Sequence, residues 1–161
     1  MEMESRYPWK GDPCLQVESG SDREWTLALH VPAWCRGFRV SIDGKEAEGT
    51  VEKGYWKLKR SWKGTHQVWI SMEMPPRVVR ADPRVRSAIG KIAVMRGPVV
   101  YCLEEADNGN DLHGLEMAAD APLTEMRRDD LAAGMIGIRA PGRGRNDGLG
   151  AQKRTIRRQE G

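Results

Sequence analysis

Between residues 25 and 72 apolar and polar residues repeatedly alternate, one for one, and that alternation constrains this chain most. Trp25, Leu27, Leu29 and Val31 interleave with Thr26, Ala28 and His30 before Pro32 ends the segment. A strand sends successive side chains to opposite faces, so this period builds a sheet with one buried and one wet face. The pattern returns at Leu15 and Val17, at Phe38, Val40 and Ile42, at Trp56 and Leu58, and at Val68, Ile70 and Met72. Turn residues separate the segments: Gly20-Ser-Asp22, Asp43-Gly44, Trp62-Lys-Gly-Thr65 and Met74-Pro-Pro76. Asp-Gly between alternating runs is a strong hairpin signal. Short strands at this spacing predict an all-β protein, an antiparallel sandwich of the jelly-roll or immunoglobulin-like kind.

The run Lys91-Ile-Ala-Val-Met-Arg-Gly-Pro-Val-Val-Tyr-Cys-Leu-Glu-Glu-Ala-Asp-Asn108 reads as two apolar strands split by Arg96-Gly-Pro98. Pro98 brings no N–H to a ladder, and Gly97 before it is pushed toward an extended shape. The break is expected to be an edge, a bulge or, best, a strand switch near the junction of two sandwiches. The expected organisation is a sandwich over residues 7–104, the start of a second, incomplete β segment over 105–138, and a basic Gly/Arg-rich tail over 139–161. Within the second segment Asp129-Asp130 is expected to cap one turn, and Met135, Ile136 and Ile138 to form a last short strand. The chain of 161 residues carries a net charge of +3. The tail holds seven Lys or Arg against two acidic residues, leaving 19 basic and 21 acidic residues elsewhere, so the basic character belongs to the tail. Leu149 and Ile156 are its only large aliphatics, too few to offset the entropy of ordering it, and the tail is expected to be disordered or loosely laid on the surface.

No run of about 18 apolar residues could cross a membrane, and residues 1–6 lack the plan of a signal peptide. Cys14, Cys35 and Cys102 have no metal-ligand spacing and are odd in number. Buried reduced thiols in a cytoplasmic chain are the expectation.

Six pieces of sequence, in order, resemble glycoside hydrolase family 127, the β-L-arabinofuranosidase-like enzymes. Tyr7-Pro-Trp9 with Gly11 is similar to that family's Tyr-Pro-Trp-Asp-Gly, with Lys10 where Asp is usual. Leu27-Ala-Leu-His-Val-Pro-Ala-Trp-Cys35 resembles Leu-x-Leu-Arg-Ile-Pro-x-Trp-Cys, and Val40-Ser-Ile-Asp-Gly44 resembles Val-x-Val-Asn-Gly. Gly54-Tyr55 with Arg60-Ser-Trp62, Met74-Pro-Pro-Arg77, and Gly90 to Cys102 resemble the motifs that follow. The resemblance covers residues 7–108 and implies sandwich domains that follow a catalytic α/α-barrel. It implies retaining hydrolysis of arabinofuranosides by a cysteine nucleophile near zinc with a glutamate acid/base, all in that barrel. None of those residues has a counterpart here, so the chain is expected to be a non-catalytic fragment, a truncated gene model or an excised module, with the barrel as its partner.

Read without the resemblance, the residues point the same way. A Cys35–His30 pair would need a base or cation to activate the thiol, and a packed thiol is the expected state. Glu104-Glu105 and Asp129-Asp130 are adjacent carboxylates, but neighbours on a strand face opposite ways, unlike the paired acids of a glycosidase. His30, His66 and His113 lack metal-ligand spacing, and Asp107-Asn-Gly-Asn-Asp111 lacks the distal glutamate of a calcium loop. The expected catalytic, cofactor and metal residues in this chain are none. The tail has the charge to touch phosphates but no aromatic interleaving, so neither nucleic acid nor membrane is an expected partner. Trp25 and Trp56 fall on the apolar faces of their strands. Trp69 falls opposite Val68 and Ile70, and is the one candidate contact, for a partner domain or for a glycan; the alternative readings of the chain are a carbohydrate-binding module using an exposed Trp and a protein-interaction domain.

Overall fold

The computed structural model describes residues 1–144 and, as backbone, 152–158. Two compact units divide between Met74 and Pro75. The first holds β1 (Glu2–Glu4), β2 (Cys14–Ser19), β3 (Glu24–His30), β4 (Phe38–Ile42), β5 (Lys45–Glu46), β6 (Thr50–Glu52), β7 (Tyr55–Ser61) and β8 (Gly64–Met72). They form a five-stranded sheet ordered β1-β2-β8-β4-β5 and a three-stranded sheet ordered β3-β7-β6, with antiparallel pairing throughout. The expected alternation is what closes them into a sandwich. Leu15, Val17, Val40, Ile42, Val68 and Ile70 of one sheet share a core with Leu27, Leu29 and Trp56 of the other.

Trp62 sits in that same core with none of its surface exposed, although the sequence reads there as a turn. It follows the last residue of β7, and its ring folds back over the end of the sandwich. There it stacks on Trp25 with centroids 5.1 Å apart, and its Nε1–H donates to the Trp25 carbonyl at 3.1 Å. A turn assignment describes the backbone and leaves the direction of a side chain that large open.

The second unit holds β9 (Pro76–Arg80), β10 (Ile92–Arg96), β11 (Val99–Leu103), a single helical turn α1 (Glu105–Asn108), β12 (Leu115–Glu116), β13 (Thr124–Arg127), β14 (Ile136–Gly144) and β15 (Gln152–Arg158). Its sheet runs β12-β14-β15-β11-β10-β9, with β13 also paired to β14. Val94, Val99, Tyr101, Ile138 and Ala140 form its core, and the Tyr101 hydroxyl donates to the Ile136 carbonyl at 2.9 Å.

Three expectations need correction. The boundary lies at residue 74 and not at 104, because β9 ladders with β10 and so joins residues 76–103 to the later strands. Arg96-Gly-Pro98 is no strand switch. Arg96 pairs directly with Val99, so Gly97 and Pro98 are the two central residues of a tight hairpin. Gly97 has φ +55°, which suits the first central position of a type II′ turn, and proline's fixed φ suits the second. Finally, the tail is not a disordered segment from residue 139. Residues 139–144 continue β14, and β15 lies between β14 and β11, in register Ile138↔Ile156 and Leu103↔Ile156. The sparse aliphatics are outweighed by a backbone ladder on both sides, which a count of apolar side chains does not see. The rest of the tail, residues 145–151 and 159–161, lies outside the described residues.

Candidate interaction surface

Strand β8 is the centre of the five-stranded sheet, so its outward side chains lie mid-face. Val68 and Ile70 are buried, which turns Trp69 outward, and it is 46% exposed. The register sets Cys14 directly opposite it on β2 and Ser41 on β4, with Glu4 opposite Cys14 and Glu46 opposite Ser41. The result is one row across five strands: Glu4, Cys14, Trp69, Ser41, Glu46. At the usual strand spacing it spans about 19 Å. The two immediate neighbours are short, leaving the indole uncovered, and the two ends are carboxylates. The adjacent row carries the Gln16–Gln67 pair, and Arg39 on β4 lies opposite Ser71 and holds Glu73 at 3.0 Å. This face is thus polar around one aromatic ring.

No nucleophile is assembled on it. Burial, and secondarily the Glu4 charge, pushes the Cys14 thiol above its ordinary value, which keeps it protonated at neutral pH. Burial likewise raises Cys35, whose Sγ donates to the Gly37 carbonyl at 3.2 Å. His30 instead meets Tyr55 edge-on at 5.4 Å. Asp129 and Asp130 are engaged by Arg127 and Arg128 at 2.9 Å each, and Asp107 pairs with Arg128 at 3.4 Å. Asn108 is buried, its Nδ2–H donating to the Glu104 carbonyl, and Asp111 accepts from the Gly114 amide. The oxygen-rich loop is therefore committed to its own turns. Among the described residues no three His, Cys, Asp or Glu side chains converge to hold a metal.

One constellation escaped the sequence reading. Asp43 has φ +51° and Gly44 φ +79°, turning β4 into β5. The Asp43 carboxylate takes the His66 Nδ1 at 2.7 Å and the Gln67 amide at 2.9 Å. His66 in turn packs edge-on against Trp62 at 5.7 Å, and the Arg60 guanidinium lies 5.1 Å over the same ring. The hydrogen bond from His66 holds the Asp43 carboxyl below its usual range, helped by the Gln67 amide. A His–Asp pair does chemistry when the second ring nitrogen reaches a hydroxyl or thiol. Here His66 Nε2 is buried with no hydrogen-bond partner, so the pair pins a hairpin to the end of the core. Asp-Gly gave the turn away, but the histidine 23 residues later gave no local signal.

Comparison with known proteins gives these two units a context. Residues 1–74 match the Beta-L-arabinofuranosidase, GH127 middle domain, and residues 76–145 match the Glycoside hydrolase family 127 C-terminal domain. The chain is 37% identical over 122 residues to a non-reducing end beta-L-arabinofuranosidase of Bifidobacterium longum subsp. longum, covering 73% of this chain and 18% of that protein. It is similar to the crystal structure of a GH127 beta-L-arabinofuranosidase from Geobacillus stearothermophilus T6, with TM-score 0.82 and 35% identity. That match covers 97% of this chain and 26% of the other. A second solved GH127 β-arabinofuranosidase gives TM-score 0.84 at 27% identity, over 97% of this chain and 28% of the other. The chain thus spans under a third of the length of each of these relatives. Two domain matches in the expected order, over two units that divide where the matches divide, show that this chain belongs to glycoside hydrolase family 127, as its middle and C-terminal domains.

Proposed function

We propose that these two domains are a non-catalytic part of an enzyme that hydrolyses arabinofuranosides, supporting a catalytic α/α-barrel that is not among residues 1–161. The observation that carries this reading is the fate of two thiols and of the Asp129-Asp130 carboxylates. The Cys14 and Cys35 thiols are raised, and Asp129 and Asp130 are spent on arginines. The donor set of the described residues does not fit zinc, so that ion belongs to the barrel in this proposal. A cytoplasmic location belongs to the same proposal. It is supported by three cysteines without a disulfide. Purified residues 1–161 are expected to release no arabinose from β-L-arabinofuranosides. Turnover by this chain alone, lost on substituting one of its own residues, would overturn the reading.

A second reading is favoured by the Trp69 row. An uncovered indole flanked by short side chains, with amides in the adjacent row and a carboxylate two strands away on either side, has the layout that stacks a sugar ring and hydrogen-bonds its hydroxyls. A large apolar domain contact would need more apolar neighbours than this face offers. Affinity electrophoresis in arabinan-type glycans tests it: retardation abolished by Trp69→Ala supports glycan contact, and unretarded migration of the unsubstituted chain rules it out.

A further inference from the structure

The two sheets of the first unit are unequal in width, and the wider one overhangs. Met3 pairs with Leu15, so it belongs to the inward-facing set, yet Met3 is 64% exposed and Met1 70%. Opposite them runs β3, the outermost strand of the three-stranded sheet. Between β1 and that free edge lies an apolar groove of about 620 Å³, floored by Leu15, Leu27, Leu29 and Ile70.

The edge of β3 is unsatisfied in a regular way. The Val31 amide donates to the Gly54 carbonyl at 2.8 Å, in continuation of the β3–β7 register. Antiparallel ladders alternate bonded and non-bonded pairs. Leu29, Leu27 and Trp25 therefore bond toward β7, while the N–H and C=O groups of Thr26, Ala28 and His30 point away from it. No described strand pairs with that side. Nothing blunts the edge either: β3 contains no proline, no lysine and no bulge.

We infer that this groove receives an extra β-strand, which pairs with the free edge of β3 and buries alternate apolar side chains under Met1 and Met3. Donors and acceptors repeating at every second residue beneath an apolar trough suit an extended polypeptide and not a small solute. A second copy of this chain is a poor occupant. Its β3 could pair edge to edge, but the inward side chains Leu27 and Leu29 of that copy already fill its own core, leaving both grooves empty. The strand comes from the polypeptide that lies outside the matched region in longer relatives, where this region is 18–28% of the chain. The inference rests on the reading that these domains work beside the rest of a GH127 enzyme.

Amide hydrogen exchange by NMR on residues 1–161 tests it, with short overlapping synthetic peptides from the Bifidobacterium longum relative's sequence outside the match. At ten times its Kd, a bound peptide is expected to slow exchange about tenfold at Thr26, Ala28 and His30, with a much smaller change at Leu27 and Leu29. The peptide that binds should carry apolar residues at alternate positions. Ala28→Pro removes one outward N–H without touching the β7 ladder, and Met3→Asp places a charge in the trough. Either should abolish the slowing, and Trp69→Ala should leave it intact. If no peptide slows these three amides, or if they slow with rising protein concentration in the absence of peptide, the inference falls. Arabinose release is read separately. An inactive chain that binds no peptide overturns only the added strand, and an active chain overturns only the non-catalytic reading.

Discussion

Replacing Trp62 with alanine removes the side chain on which one end of the sandwich is closed. An indole buries on the order of 200 Å². At about 25 cal/mol per Å², that is about 5 kcal/mol of lost burial as an upper value. The hydrogen bond from Nε1 to the Trp25 carbonyl adds about 1 kcal/mol. The stack on Trp25 adds about 1 kcal/mol. Relaxation of the surroundings recovers part of the sum, and large-to-small core changes at aromatic sites cost about 3–5 kcal/mol. That is a large share of the stability of any domain this size. Guanidinium unfolding of Trp62→Ala, followed by far-UV circular dichroism, should show the first unit unfolding well before the second. Trp62→Phe keeps most of the apolar area and loses the N–H bond, so it should cost about 1–2 kcal/mol. Trp69→Ala, outward on β8, should stay within about 1 kcal/mol. A Trp62→Ala cost no greater than that of Trp69→Ala would refute the placement of Trp62 as the plug of the core.

The depressed Asp43 carboxyl predicts acid sensitivity: a folded-state pKa below the unfolded one stabilises above the unfolded value and is lost as pH falls through the folded value. Asp43→Asn should therefore be less stable than the unsubstituted chain at neutral pH, with the gap in thermal midpoint closing on the acid side of the ordinary carboxylate range. A Cβ at Gly49 would collide with the buried Trp56 ring, so Gly49→Ala should destabilise by about 1–3 kcal/mol. Gly20→Ala, with nothing within 4 Å, should be near neutral by the same thermal melt. Ending the chain after Gly144 removes β15 from between β11 and β14, and amide protection in both strands should collapse while that of β2 and β8 persists.

The alternating strands of the first unit are legible because period-two alternation is a local property, and Asp43-Gly44 supplies its turn chemistry in two adjacent residues; the short β1 and β5 carry no such pattern and lie outside what the alternation predicts. Trp69 was legible as outward-facing for the same reason: parity against Val68 and Ile70 fixes it. What escaped depends on distant partners. The row from Glu4 to Glu46 exists only through the register of five strands. The Asp43–His66 pair and the Trp25–Trp62 stack join residues 23 and 37 positions apart. Strand β15 was missed because its order comes from two backbone neighbours rather than from its own composition. The Gly97-Pro98 hairpin is hidden in the sequence because a proline inside an apolar run signals an obstacle to pairing, while its fixed φ also suits the second corner of a two-residue turn.

The seat of β15 also orders events during synthesis. The first unit's own strands, β1 to β8, are all made once Met72 has left the ribosome. The second needs residues 152–158 between two strands made earlier. Until that segment emerges, β11 and β14 each expose a ladder edge to the nascent chain and to its neighbours. Translation that stalls between Gly144 and Gln152 would thus release a folded first unit carrying an open, association-prone second sheet. The strand that emerges after both of its neighbours is the one that protects the product.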